Sequence, residues 1–200
     1  MRLPAILAVF PSLLLLACSA GEETGSGTRA DETHGPQRIV SLDYCADQYV
    51  LEFAEREDIL ALSIDAEKRF SYLRDQARGI RKVRPRTADV LALKPDLIVR
   101  SYGGGPNVAA FMERAGVPVV QVGFPQNIGE VREEVVRLGT RLGQGDKARQ
   151  TVDDMNQRLA ALADTQNSAG DALYMTPGGV TAGEGTLVHE LMQVAGLGNF

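Results

Sequence analysis

The sequence predicts an α/β fold: a parallel sheet covered by helices on both faces, then a long linking helix, then the start of a second lobe of the same kind. Three observations predict it. Short, nearly continuous apolar runs recur through the first part of the chain, as strands buried on both faces require. Helical periodicities lie between these runs with short links, which is the alternation of a parallel sheet. The alternation gives way to two long helices, restarts near residue 171, and has produced one strand and one helix by Phe200.

The first 18 residues stand apart. Met1-Arg2 precedes an apolar run, Leu3 to Leu16, that ends in Leu15-Leu16-Ala17-Cys18. A cationic start, a short apolar core and small residues at a cut site make a secretory signal. The run is shorter than the about 20 apolar residues a permanent membrane helix needs. Cys18 sits where a bacterial lipobox places its lipidated cysteine; the alternative is cleavage after Ala20 and a soluble product. Residues 19–37 are rich in Gly, Ser, Thr and Glu. They cannot bury a core and read as a flexible tether, with a typical span of about 25 Å.

Residues 38–126 are expected to form the N-terminal α/β lobe. Its strands are read at Arg38–Leu42, Ile59–Ser63, Asp96–Arg100 and Val117–Val122. A helix from Asp47 to Glu55 follows the first strand. Thr87 is placed to cap a short helix that ends at Lys94, because Pro95 follows. Asn107 is placed to cap Val108 to Ala115, with Gly116 as its stop. Residues 127–164 carry two helices. The first opens on an Asn127-Ile128-Gly129-Glu130 capping box. The second, Asp146 to about Asp164, is the interlobe helix, about 28 Å long. A polar loop, Thr165 to Gly170, leads to residues 171–200. There Ala172 to Met175 reads as a strand and Leu187 to Ala195 as a helix.

Composition narrows the function. The net charge of −5 argues against a general nucleic-acid binder. The only histidines are His34, in the tether, and His189, on a late helix, so no converging set of metal ligands is visible. Of the two cysteines, Cys18 is committed to the anchor and Cys45 reads as a small, buried, inert side chain. A Cys45–His189 nucleophile pair has no local support.

Open α/β sheets bind ligands outside the carboxyl ends of their strands. Tyr44, Phe70, Tyr72, Tyr102 and Phe124 fall there, and Met175 holds the equivalent place in the second lobe. They suit a broad apolar ligand surface; the alternative is that they cap the sheet edge as core. Between Glu67 and Arg100 there are ten basic residues against four acids, an excess of six in an acidic chain. Arg69, Arg84, Arg86 and Arg100 are the candidate contacts for an anionic ligand, since arginine pairs bidentately with carboxylate and phosphate. The other reading is a solvated basic face, or contact with anionic lipid. Gly103-Gly104-Gly105 can cradle a phosphate, but lacks the lysine and spacing of a P-loop and also reads as a plain turn.

Three stretches carry a resemblance. Arg38-Ile39-Val40-Ser41-Leu42, then Asp89 to Val99 with its Leu-Lys-Pro-Asp-Leu run, then Ala115-Gly116-Val117-Pro118-Val119 are similar to the substrate-binding proteins of bacterial iron-siderophore and vitamin B12 ABC importers. The tail from Leu187 to Phe200 resembles the first helix of that family's C-terminal lobe. The resemblance implies two Rossmann-like lobes joined by a single long helix, the class III periplasmic-binding-protein fold, with the second lobe incomplete here. It implies a ferric siderophore, cobalamin or haem held between the lobes, no intrinsic cofactor, no catalytic residues, and delivery to a permease driven by an ATPase. A monomer in the periplasm or on the outer face of a bacterial membrane is expected. Asp89 lies near the family's acidic permease-docking position. The competing reading is an extracytoplasmic α/β enzyme or chelate-processing protein on the same scaffold.

Overall fold

The computed structural model describes residues 35–164 and 170–200. The signal segment, Cys18, His34, nearly all of the tether and the loop at 165–169 lie outside the described residues.

Five strands form one all-parallel sheet: β1 (Ile39–Ser41), β2 (Ile59–Ser63), β3 (Lys82–Val83), β4 (Leu97–Arg100) and β5 (Val119–Gln121), in the order β3-β2-β1-β4-β5. Successive residues point to opposite faces, and both faces are apolar. Ile39 and Val99 join Val50, Phe53, Leu62 and Leu138 in one core; Val40 and Ile98 join Leu42, Val90, Val108 and Met112 in the other. The first core is covered by α1 (Tyr44–Phe53), α4 (Ile128–Arg141) and α5 (Gly145–Asp164), the second by α2 (Thr87–Leu91) and α3 (Val108–Arg114). This doubly covered sheet is the one the apolar runs predict.

The helix starts differ from expectation in instructive ways. α1 begins three residues early because Asp43, in extended conformation, accepts a hydrogen bond from the Ala46 N–H. Thr87 is the first helical residue of α2 rather than its cap, and Asn107 precedes α3 without a capping bond. Gly116, at φ +80°, ends α3 as read, its N–H donating to the Glu113 carbonyl. Asn127 caps α4 by accepting from Glu130 N–H at 2.8 Å, while Glu130 Oε2 accepts from the preceding Gln126 N–H at 2.7 Å. Asp146 is not a cap but lies in the first turn of α5, paired with Arg149.

The last segment is a complete βαβ unit. β6 (Gly170–Ala172) and β7 (Leu197–Asn199) pair in parallel around α6 (Leu187–Val194). The expected strand at Ala172–Met175 therefore stops at Ala172. Met175 instead makes an isolated antiparallel bridge with Thr181 across the Pro177–Gly179 turn. Neither β3 nor β7 is readable in the sequence, since each has only one large apolar residue. α6 is tied to the first lobe, with Glu190 Oε2 accepting from the Ile128 N–H at the start of α4, 2.6 Å away.

Candidate ligand-binding site

In the order β3-β2-β1-β4-β5 the chain progresses outward on either side of the β1–β4 boundary, so that boundary is the topological switch point. Two segments leave it: Asp43–Tyr44 after β1 and Ser101–Gly105 after β4. The carboxylate of Asp43 joins them. Its Oδ2 accepts from three consecutive N–H groups, Ser101 at 2.7 Å, Tyr102 at 3.0 Å and Gly103 at 2.9 Å, while Oδ1 caps α1. Gly103 is required by close approach: a Cβ there would sit 2.3 Å from the Leu42 carbonyl oxygen.

The same loop is held through its carbonyls. Arg100 Nε donates to Gly103 O at 2.9 Å and Nη2 to Gly105 O at 3.0 Å, and the Gln121 side-chain amide donates to Ser101 O. Arg100 is only 6% exposed. It is a positioning residue for the loop, which corrects its expected place as a ligand contact: its donors reach back to the loop carbonyls below the cleft surface. A strand-end arginine looks ligand-facing in sequence, but the direction of its long side chain is not encoded there.

On this fixed frame stand aromatic rings. Tyr44 and Phe70 meet edge to face with centroids 5.1 Å apart, and Tyr44 and Tyr102 at 6.1 Å. Beside them lies a groove of about 470 Å³, lined by Tyr44, Cys45, Tyr49, Phe124, Pro125 and, from α6, Leu187 among others. Phe124 is 70% exposed over it. Burial pushes the Tyr102 hydroxyl up to about 12, and the nearby Asp43 carboxylate adds to this. Burial likewise pushes the Cys45 thiol up, with Asp43 and Asp47 adding to the effect, so the thiol stays protonated at neutral pH. Cys45 is half-buried and faces the groove rather than packing inside the core as expected.

The remaining expected residues divide. Arg84 lines a second groove of about 430 Å³ with Ile64, Arg81, Lys82, Val83, Asp89 and Ala92, at the carboxyl ends of β2 and β3 on the same sheet rim. Asp89 is therefore a neighbour of Arg84. Arg86 immediately precedes α2 and is exposed; Arg69 is exposed beside Phe70. Among the described residues the side chains of Arg69, Arg81, Arg84 and Arg86 make no ion pair or hydrogen bond. Tyr72, 85% exposed, makes no ring contact and is not in the groove. Met175 is exposed on the βαβ unit and does not line the groove either. Cys45 and Pro125 lie at strand ends but were not among the expected contacts, and Tyr49 and Leu187 were not expected at the site. Leu187 arrives from a distant helix, and no local pattern announces it.

Among the described residues no group of three or more His, Cys, Asp or Glu side chains could hold a metal ion, and no helix is long and apolar enough to cross a membrane. A doubly wound α/β lobe with an aromatic groove at its switch point belongs to the class of open α/β sheets, which bind ligands outside the carboxyl ends of their strands.

Comparison with known proteins makes this specific. A family model described as Periplasmic binding protein matches residues 84–200, and the chain belongs to that family. The "Cobalamin-binding protein" of Halobacterium salinarum is 26% identical over 191 residues, covering 90% of this chain and 51% of that protein. The chain spans about half the length of the curated relatives it matches. A possible iron-binding (periplasmic solute-binding) protein from Staphylococcus epidermidis superposes with a TM-score of 0.68 at 20% identity, over 82% of this chain and 67% of that one. The periplasmic heme-binding protein RhuT from Roseiflexus sp. RS-1 superposes with a TM-score of 0.65 at 21% identity, over 82% of this chain and 66% of that one. These solved structures share the class III periplasmic-binding-protein fold.

Proposed function

We propose that this chain is the extracytoplasmic solute-binding component of an ABC importer, capturing a chelated metal (a ferric siderophore, cobalamin or haem) and handing it to a membrane permease driven by an ATPase. The observation that carries the reading is the ring cluster of Tyr44, Phe70 and Tyr102 beside an apolar groove at the switch point. A flat, largely apolar chelate buries its face on such rings. Arg84, Arg86 and Arg69, on the same rim and unpaired, take its anionic substituents. Strands in a sheet lie about 4.8 Å apart, so Arg84, after β3, stands roughly 10 Å along the rim from β1. The kinship with a cobalamin-binding protein and the fold shared with iron- and haem-binding proteins support the same class. Leu187 of α6 is the contribution of the second lobe to the groove, and Asp89 a docking contact for the permease. Cys18 carries the lipid that keeps the monomeric carrier near that permease.

Binding is tested by equilibrium dialysis against cobalamin, haemin and ferric catecholate, hydroxamate and carboxylate siderophores. One of them should bind saturably at one per chain and be recovered chemically unchanged, and Tyr44→Ala should weaken it at least tenfold (about 1.4 kcal/mol). Binding of none, or release of an altered chelate, would refute the carrier reading.

A further inference from the structure

We infer that Asp43 is a built-in anion: its carboxylate fills the N–H nest at the switch point, closes that nest to the phosphate or carboxylate groups of a ligand, and leaves the aromatic floor to a ligand's uncharged face. The switch point of a doubly wound sheet is where backbone N–H groups and a helix start converge on a bound anion. Here four N–H groups converge, those of Ser101, Tyr102 and Gly103 on Oδ2 and that of Ala46 on Oδ1, all at 2.7 to 3.0 Å. The anion they hold belongs to the chain itself and is only 3% exposed.

The nest has no spare capacity and little freedom. Its donors are spent on Asp43, and its carbonyls are held from the other side by Arg100 and Gln121. An incoming phosphate would meet a fixed negative charge with no free donor. The same charge acts on the groups above it. Tyr102 is pushed up to about 12, by burial first and then by Asp43, Cys45, Tyr44 and Asp65. The Tyr44 hydroxyl is pushed up first by its neighbour Cys45 and the Cys45 thiol by burial, with Asp43 a smaller contribution to each. Asp43 thereby separates the rim by charge: an anion-averse floor at β1 and β4, and unpaired arginines at β2 and β3. As a statement about specificity this rests on the proposed carrier function; the nest itself does not.

The test needs no chelate. Thermal unfolding of Asp43→Ala is followed against sodium formate, with sodium chloride at matched ionic strength. The variant should gain several degrees saturably with formate while the wild-type chain stays flat, and it should bind inorganic phosphate at least tenfold more tightly than wild type. Equal responses of the two proteins would overturn the inference. Should Asp43→Ala fail to fold even in formate, Asp43→Asn, which keeps the shape, decides by ultraviolet tyrosinate titration. Tyr102, assigned by difference from Tyr102→Phe, should titrate at lower pH than in wild type; an unchanged titration would overturn the inference. A chain that binds no chelate yet shows formate rescue loses the carrier function and keeps the built-in anion.

Discussion

Gly103→Ala isolates the frame under the site. A Cβ at residue 103 would lie 2.3 Å from the Leu42 carbonyl oxygen and 2.7 Å from its Cβ. Leu42 cannot yield, because its N–H is bonded to the Val99 carbonyl at 3.1 Å, next to the sheet. The loop must therefore rise by roughly 1 Å to regain ordinary contact. That movement breaks the Gly103 N–H bond to Asp43 and the Arg100 bond to Gly103 O, both 2.9 Å now. Steric strain and two charge-assisted hydrogen bonds, partly recovered by relaxation, give a loss of about 3 kcal/mol. For a chain of this size that lowers the melting temperature by roughly 6–12 °C. Tyr102 moves with the loop, so chelate affinity should fall at least tenfold. Gly105→Ala is the control. Gly105 has φ +79° and open space around its Cβ position, so alanine there meets only backbone strain of roughly 1 kcal/mol. The assay is urea unfolding followed by circular dichroism, paired with dialysis. Gly103→Ala proving no worse than Gly105→Ala would refute the close-approach argument.

Arg84→Glu should weaken binding of an anionic chelate at least tenfold at an unchanged urea midpoint, whereas Arg100→Glu should lower the midpoint itself, since it removes both bonds to the loop carbonyls; equal midpoints for the two variants would contradict the assignment of Arg100 to the frame. Glu190→Ala should cost about 1 kcal/mol by uncovering the Ile128 N–H, and hydrogen exchange should quicken across Leu187–Val194; Glu190→Gln should retain most of the protection. The Glu134 carboxyl is pushed up by burial, but Arg137 and the Gly123 N–H outweigh this and hold it below its ordinary value. A carboxyl depressed in the folded state stabilises above its unfolded value, near 4.3, and that stability is lost as pH falls through the folded value. Glu134→Gln should therefore unfold less steeply with acid than wild type below about pH 4.5, as urea midpoints between pH 2 and 6 would show.

The parallel sheet was legible because burial on both faces leaves unbroken apolar runs, as at Arg38–Leu42 and Asp96–Arg100. β3 was not, because Lys82-Val83 is held by its pairing with Leu62 and Ser63 and not by its own pattern. β7 escaped for the same reason, since Leu197-Gly198-Asn199 is a strand only beside β6. At the site, residue type placed Tyr44, Tyr102 and Phe124 at strand ends, and topology did the rest. What local reading could not reach was partnership across the chain. Asp43 caps α1 with one bond, yet three of the four bonds its carboxylate makes go to residues beyond β4. Leu187 enters the groove from the βαβ unit. Both facts depend on which strands are neighbours, and an apolar run does not say which strand it will lie beside.

Charge shows the same limit. The excess of basic residues between Glu67 and Arg100 suggested one anion-binding face, but the fold sorts those cations into two populations. Arg78 is paired with Asp75, Lys82 with Glu67 and two carbonyls, Arg74 reaches the Ser71 carbonyl, and Arg100 holds the loop after β4. Arg74, Lys82 and Arg100 hold carbonyls of turns and loops, Arg78 holds the Asp75 carboxylate, and the charge of all four is already engaged. Lys68, Arg69, Arg81, Arg84, Arg86 and Lys94 are left, all exposed; Lys68, Arg69 and Arg81 lie between β2 and β3, Arg84 and Arg86 follow β3, and Lys94 precedes β4. The free charge of Arg84 and Arg86 is thus displaced sideways from the Tyr44 and Tyr102 rings, by about the width of two strands. Arg84 and Arg86 follow β3, away from the segments after β1 and β4 that carry the Tyr44 and Tyr102 rings, whereas Arg69 adjoins Phe70 of the ring cluster. A ligand that uses both the Tyr44–Tyr102 rings and Arg84 must be broad, with a neutral centre and a negative edge, so ligand size and charge position together become the variables that a binding panel should separate.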